Sequence, residues 1–146
     1  MKIAISYIVI FLVLGFTRKY ENYHVECYNI TSSDYIELKV WSDVKKYNNI
    51  KAEKNAIHGL LYSGVMGKGD CITQKPILNS EDAKSEFRKI ERKFFSKKGQ
   101  WKIFIKSSDF VREKSNTNYY IVSVSRLQLI NFLIDRKIIK SLNNGF

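Results

Sequence analysis

The clearest structural signal in the chain is the heptapeptide YIELKVW at Tyr35–Trp41. Its apolar residues Ile36, Leu38 and Val40 alternate with a glutamate and a lysine. A period of two is typical of a β-strand that buries one face. The other face carries the charged residues together with the terminal tyrosine and tryptophan. This pattern favours an antiparallel sheet with one face packed on the core and the other in contact with water.

Three further segments are predicted to be extended. Residues 20–30 form a lead-in in which Cys27 alternates with polar neighbours. Residues 100–106 alternate so that Trp101 and Phe104 fall on opposite faces of a strand. Residues 107–118 predict a long connection or an irregular hairpin, and the β-branched residues 119–124 predict a last strand.

Three helices are predicted between and after these strands. The first is capped by Ser42 or Asp43 and runs to about residue 63, where Gly64 suits a helix end. The second begins at residue 79 or 80, carries one apolar stripe and ends at Gly99. The third follows Ser125 and runs to about residue 136.

The predicted order is β-β-α-α-β-β-α, which indicates an α+β fold with an antiparallel sheet and helices on one face. At 146 residues the chain suits a single domain, which we place at residues 20–146. The hydrophobic content of 45% excludes global disorder. Two cysteines exclude a disulfide-dense scaffold and a four-thiolate zinc site.

The N-terminus predicts export. Lys2 precedes an uncharged, mostly apolar run over residues 3–16, which is short for a transmembrane helix. A basic residue, a short apolar run and small residues at its end are typical of a signal peptide, which we place at residues 1–15. An uncleaved N-terminal anchor and a buried helix are the alternatives.

Several segments together resemble a family of small exported proteins of Bacteroidetes that has no established activity. The resemblance covers roughly residues 35–146, and the segments that carry it are Leu38-Lys39-Val40-Trp41, Asn55-Ala56-Ile57-His58-Gly59, the glycine loop from Gly64 with Cys71, Gln74-Lys75-Pro76, Phe94-Phe95 and residues 138–146. The chain is also distantly similar to envelope α+β domains of curli-pore-like lipoproteins. The resemblance implies the periplasm or cell envelope of a Gram-negative bacterium, and it supplies no catalytic residues. The chain departs from the family at Asn48-Asn49, and at Lys137, where glycine is expected to close the last helix.

Cys27 and Cys71 allow two interpretations. An oxidising compartment permits a disulfide between them, which would tie the lead-in to the glycine loop. The alternative is two unpaired thiols, one in the sheet and one in the loop.

Catalytic and metal-binding patterns are weak. His58 is expected in a helix, and a hydrolase would need a nucleophile and an orienting acid beside it. No neighbouring residue in the sequence supplies them. We therefore predict no metal site, no catalytic residues and no cofactor, and we keep a small hydrolase using His58 as an alternative.

Net charge is the strongest remaining feature, at +11. A basic surface with interleaved aromatic residues favours an anionic glycan, nucleic acid or lipid headgroup as ligand. The leading hypothesis is instead a non-enzymatic interaction protein that binds another envelope or secreted protein. Its contact residues would be Tyr35 and Trp41, or Trp101 and Phe104, if one face of the sheet stays open.

Overall fold

The computed structural model describes residues 22–115 and 117–141, so the predicted signal peptide at residues 1–15 lies outside the described residues. The described chain contains four strands and three α-helices. The strands are β1 (His24–Ile30), β2 (Tyr35–Trp41), β3 (Ile105–Arg112) and β4 (Asn118–Ser125). The helices are α1 (Asn49–His58), α2 (Glu81–Phe94) and α3 (Arg126–Asp135).

All four strands belong to one antiparallel sheet in the order β1-β2-β4-β3. Leu38 on β2 lies opposite Cys27 on β1 and Val122 on β4, and all three side chains are buried. We call the side of the sheet that carries them the inner face. The predicted α+β class and the order of its elements are confirmed.

The helices lie on the side of the inner face. Helix α1 contacts β2, β3 and β4. Helices α2 and α3 contribute Phe87, Phe94, Leu129 and Leu133 to the same core. Burial of this apolar surface is the main force that holds the helices to the sheet.

The first helix begins later than predicted. Ser42 and Asp43 precede a non-helical segment, and Asn48 caps α1 by accepting a hydrogen bond from the backbone N–H of Lys51 at 3.0 Å. Ile50, in the first turn of α1, is 53% exposed. An amide side chain at the N-cap competes well with serine or aspartate, which explains the later start.

Helix α1 continues through a π-helical turn at Gly59–Ser63 and ends at Gly64, as predicted. Gly64 has a φ of 72°, and a Cβ there would lie 2.5 Å from the carbonyl oxygen of Gln74. Glycine is therefore required both by the left-handed backbone and by the close approach of the following loop.

The predicted strand at residues 100–106 is wrong over Gln100–Phe104. A 3₁₀ turn occupies Gln100–Phe104, and β3 begins only at Ile105. Helix α2 starts after the Ser80 cap as predicted but ends at Phe94, five residues before Gly99. Of the two alternatives for residues 107–118, the irregular hairpin is the one observed, because β3 and β4 pair antiparallel with a register shift between Ile105 and Ser107.

Helix α3 follows Ser125 as predicted, but the Ser125 hydroxyl makes no capping hydrogen bond. Leu127 is 43% exposed, whereas Ile130 and Leu133 are buried. Ile138 packs against the core after the helix ends. Over residues 22–115 and 117–141, no helix combines the length and apolarity that a bilayer span needs.

Candidate functional site

Two of the four predicted contact residues lie on the side of the sheet opposite the core. Tyr35 and Trp41 alternate with the buried residues of β2, and both are partly exposed. Glu37 and Lys39 share their face and are also partly exposed. We call this side, together with the facing residues of β1, β3 and β4, the outer face.

A lysine lies between aromatic rings at the centre of the outer face. The Nζ atom of Lys39 is 4.2 Å from the centroid of the Tyr119 ring on β4 and 5.6 Å from that of Trp41. His24 on β1 stacks on Trp41, with ring centroids 5.0 Å apart and an interplanar angle of 17°. Cation–π contacts and stacking hold these side chains in a fixed arrangement although water reaches them.

The second aromatic residue has a similar partner. The Nζ atom of Lys106 lies 4.1 Å from the centroid of the Tyr35 ring. Each predicted aromatic residue of β2 therefore lies beside an ammonium group. Tyr35 contacts that of Lys106 on β3, and Trp41 contacts that of Lys39, two residues earlier on β2. Such rings present a rigid apolar surface bordered by positive charge.

The outer face carries both signs of charge. Lys39 lies opposite Glu26 on β1 and Ile121 on β4, and Ile121 lies opposite Asp109 on β3. This row therefore crosses all four strands with an acid at each end and a lysine inside. The outer face therefore carries charges of both signs in this row rather than positive charge alone.

Trp101 and Phe104 are not surface residues, and this part of the contact prediction is wrong. Trp101 is 0% exposed and Phe104 is 2% exposed. In the 3₁₀ turn, residues three apart face the same way, so both rings point into the core. The indole N–H of Trp101 donates to the Ser96 carbonyl at 2.9 Å, which satisfies its only polar group.

Cys27 and Cys71 form a disulfide, with Cα atoms 5.9 Å apart. The bond attaches β1 to the glycine loop, as one of the two interpretations predicted. The loop also pairs with β1 through the backbone, because the N–H of Cys27 donates to the carbonyl of Met66 at 2.9 Å. Two independent constraints therefore fix the loop to the edge of the sheet.

His58 lines a small cleft of about 300 Å³ at the end of α1, together with Tyr23 and Ser63. The Tyr23 hydroxyl lies 2.5 Å from Nδ1 of His58. Burial lowers the pKa of His58 to about 4, although the negative charge of Glu91 opposes that shift. Burial also raises the pKa of Tyr23 to about 12. At neutral pH this is a hydrogen-bonded pair of uncharged rings.

Glu91 is engaged by a second tyrosine. Its carboxylate accepts a hydrogen bond from the Tyr62 hydroxyl at 3.2 Å, and the Tyr62 ring lies 4.8 Å from that of His58. Burial and the Glu91 charge raise the pKa of Tyr62. An imidazole with a pKa near 4 is a weak general base at neutral pH, so the arrangement does not favour the hydrolase alternative. Among the described residues, no three His, Cys, Asp or Glu side chains are grouped closely enough to hold a metal ion.

A larger cavity of about 730 Å³ lies between the start of α2, the first turns of α3 and the segment after α3. Arg126 and Lys137 line it, and neither was predicted to be functional. The only sequence signal was that Lys137 occupies a position where glycine is expected. Its φ of 57° confirms that the backbone there is left-handed.

The chain was compared with protein-family models, curated proteins and solved structures, and none of them matches it. The resemblance to exported Bacteroidetes proteins and to curli-pore-like domains accordingly stays a prediction.

Proposed function

We propose that the protein is a non-enzymatic, exported interaction protein of the periplasm or cell envelope, and that it binds another exported protein through the outer face. The observation that carries this proposal is the partly exposed Trp41, stacked on His24 and flanked by Lys39. Tryptophan and tyrosine dominate the binding energy of protein interfaces when their surroundings hold them rigid.

The charge pattern favours a protein partner over a polyanion. Glu26 and Asp109 lie at the two ends of the row that contains Lys39. Glu37 lies on the same face, two residues before Lys39 on β2. A polyanion would be repelled by these carboxylates. A protein surface that combines apolar side chains with charges of both signs complements them.

The disulfide supports the proposed compartment. Disulfides persist where the environment is oxidising and are rare in the cytosol. The bond between Cys27 and Cys71 lies directly behind the outer face, since Cys27 belongs to β1. In an oxidising compartment this disulfide would hold the glycine loop to β1, the edge strand of the proposed binding surface.

Site-specific photo-cross-linking tests the proposal. A photoreactive amino acid replaces Glu37 on the outer face, or Ser85 on the exposed side of α2 as the matched control. After incubation with the exported protein fraction of the source organism, we expect one discrete adduct from position 37 and none from position 85. The added substitution Trp41→Ala is expected to abolish that adduct.

Two results would contradict the proposal. One is an equal yield of adducts from both positions, which indicates non-specific contact. The other is an adduct from position 37 that Trp41→Ala leaves unchanged. Circular dichroism of each variant shows whether the fold is retained.

A second candidate, binding of an anionic polymer, is favoured by the C-terminal half of α2 and the turn that follows it. Upstream, Glu81 pairs with Lys84 at 2.8 Å and Glu86 with Lys89 at 2.5 Å. This stretch also carries five exposed basic residues, namely Arg88, Arg92, Lys93, Lys97 and Lys98. This segment has a local excess of positive charge that the outer face lacks.

Heparin chromatography tests the second candidate. Replacing Lys97 and Lys98 by glutamate is expected to lower the salt concentration needed for elution. The matched control replaces the exposed pair Lys45 and Lys46 in the same way. Equal effects of the two double substitutions would show that only net charge matters and would remove this candidate.

A further inference from the structure

The cavity beside α3 has the size of a small-molecule site. Its volume of about 730 Å³ lies within the range of typical ligand pockets. One part of its wall is apolar and consists of Pro76, Ile77, Ala83, Ile130, Ile138 and Ile139. A ligand that fills the cavity therefore needs an apolar body.

Arg126 is an unsatisfied donor in this wall. Its Nε atom is buried and has no hydrogen-bond partner among the described residues. Burial partly desolvates the Arg126 guanidinium and thereby lowers its pKa. Leaving a buried donor unpaired is costly, so an acceptor brought by a ligand to this guanidinium would offset part of that cost.

Lys137 adds a second cationic side chain to this cavity. Its φ of 57° places a lysine in the left-handed region, where glycine is favoured. Its side chain lines the same cavity.

The charges around the cavity indicate what kind of anion fits. Four cationic side chains line the cavity, namely Lys75, Arg126, Lys137 and Lys140. Asp82 and Glu86 line it as well. Their negative charge disfavours a dianion such as phosphate more than a singly charged carboxylate. The planar guanidinium of Arg126 suits a carboxylate, which it can bind through two parallel hydrogen bonds.

We propose that this cavity binds a small organic carboxylate with an apolar body, whose carboxylate accepts hydrogen bonds from Arg126 while its body packs on the isoleucines of α3 and the segment after it. This inference goes beyond the proposed protein-binding function and does not depend on the outer face.

Calorimetric titration of the intact disulfide-bonded protein tests the ligand class. Octanoate and N-acetyl-leucine represent two sources of the same chemistry, a fatty acid and a peptide C-terminus. We expect at least one of them to bind, and the tighter one identifies the source. Octan-1-ol and inorganic phosphate each lack one of the two features and are expected to bind at least tenfold more weakly.

Variants test the site. Arg126→Met keeps much of the side-chain volume and is expected to weaken carboxylate binding tenfold or more. Its matched control is Arg112→Met, which changes an exposed arginine on β3 and should leave the affinity unchanged. Because the buried Nε atom of Arg126 has no hydrogen-bond partner among the described residues, replacing this side chain is not expected to lower the unfolding temperature.

A variant on the rim keeps the test decisive if Arg126→Met does not fold. Lys140 is exposed and lines the cavity, so Lys140→Glu is expected to weaken binding several-fold without affecting folding. The proposal is overturned if neither carboxylate binds at millimolar concentration or octan-1-ol binds as tightly as octanoate. It is also overturned if the two cavity variants bind like the unmodified protein.

Discussion

The Tyr23 hydroxyl lies 2.5 Å from Nδ1 of His58, so the segment before β1 is hydrogen-bonded to the end of α1. Both rings are partly buried, and each has a pKa shifted so that its neutral form is favoured. This contact therefore ties the position of the Tyr23 side chain to the protonation state of His58.

We predict that His58 makes the protein less stable in mild acid. Burial lowers its pKa from 6.5 to about 4 in the folded state. Between these values the unfolded chain binds a proton that the folded chain does not, so stability falls as the pH drops from about 6.5 towards 4. Above pH 6.5 the contribution is constant. Allowing for the exposed part of the ring, the loss is about 1–2 kcal/mol.

Urea unfolding at pH 7 and pH 4.5 measures this effect. His58→Gln is expected to reduce the difference in unfolding free energy between the two pH values. His24→Gln is the matched control, because His24 is the other histidine in the chain and is exposed on β1. If both substitutions change the pH dependence equally, His58 is not the group responsible.

The two tryptophans are predicted to differ sharply. Trp101→Ala removes a fully buried ring and is expected to destabilise the protein by about 3–5 kcal/mol. Trp41→Ala, on the outer face, is expected to cost about 1 kcal/mol, from lost stacking on His24 and contact with Lys39. Denaturant titration measures both values.

Fluorescence gives an independent check on this assignment, since the chain has two tryptophans. Trp41→Phe leaves only Trp101, which should emit at short wavelength and resist quenching by iodide. Trp101→Phe leaves only Trp41, which iodide should quench. The reverse pattern would contradict both the core assignment of Trp101 and the proposed binding surface.

These residues also show what the sequence could and could not predict. The prediction of β2 was correct because apolar and other residues alternate strictly along Tyr35–Trp41. The alternation at residues 100–106 was misleading, since Trp101 and Phe104 are also three apart and so share one side of a 3₁₀ turn. The contact of Lys39 with Tyr119 was beyond prediction, because it depends on β2 and β4 being neighbours in the sheet.

The start of α1 gives another discriminating prediction. Asn48 accepts a hydrogen bond from the Lys51 N–H, so Asn48→Ala is expected to lower the free energy of unfolding by about 1 kcal/mol. Asp43→Ala changes an exposed residue outside the helix and is expected to alter stability by less than about 0.5 kcal/mol. A larger effect at Asp43 than at Asn48 would mean that the helix begins where the sequence pattern first suggested.

The disulfide is predicted to be a major source of stability. Cys27 and Cys71 are separated by 44 positions in the chain, and closing a loop of that length is worth about 4 kcal/mol in the chain-entropy description. Reduction should therefore lower the denaturant midpoint of the protein markedly. The double substitution of both cysteines by alanine is expected to lower it similarly and to make it insensitive to reductant.

Thiol titration of the unreduced, unfolded protein should detect no free thiol. Detection of two would show that the cysteines are unpaired and would remove the support that the disulfide gives to export. Because the loop also pairs with β1 through the Met66 carbonyl, the alanine variant is expected to retain the fold and to lose stability rather than structure.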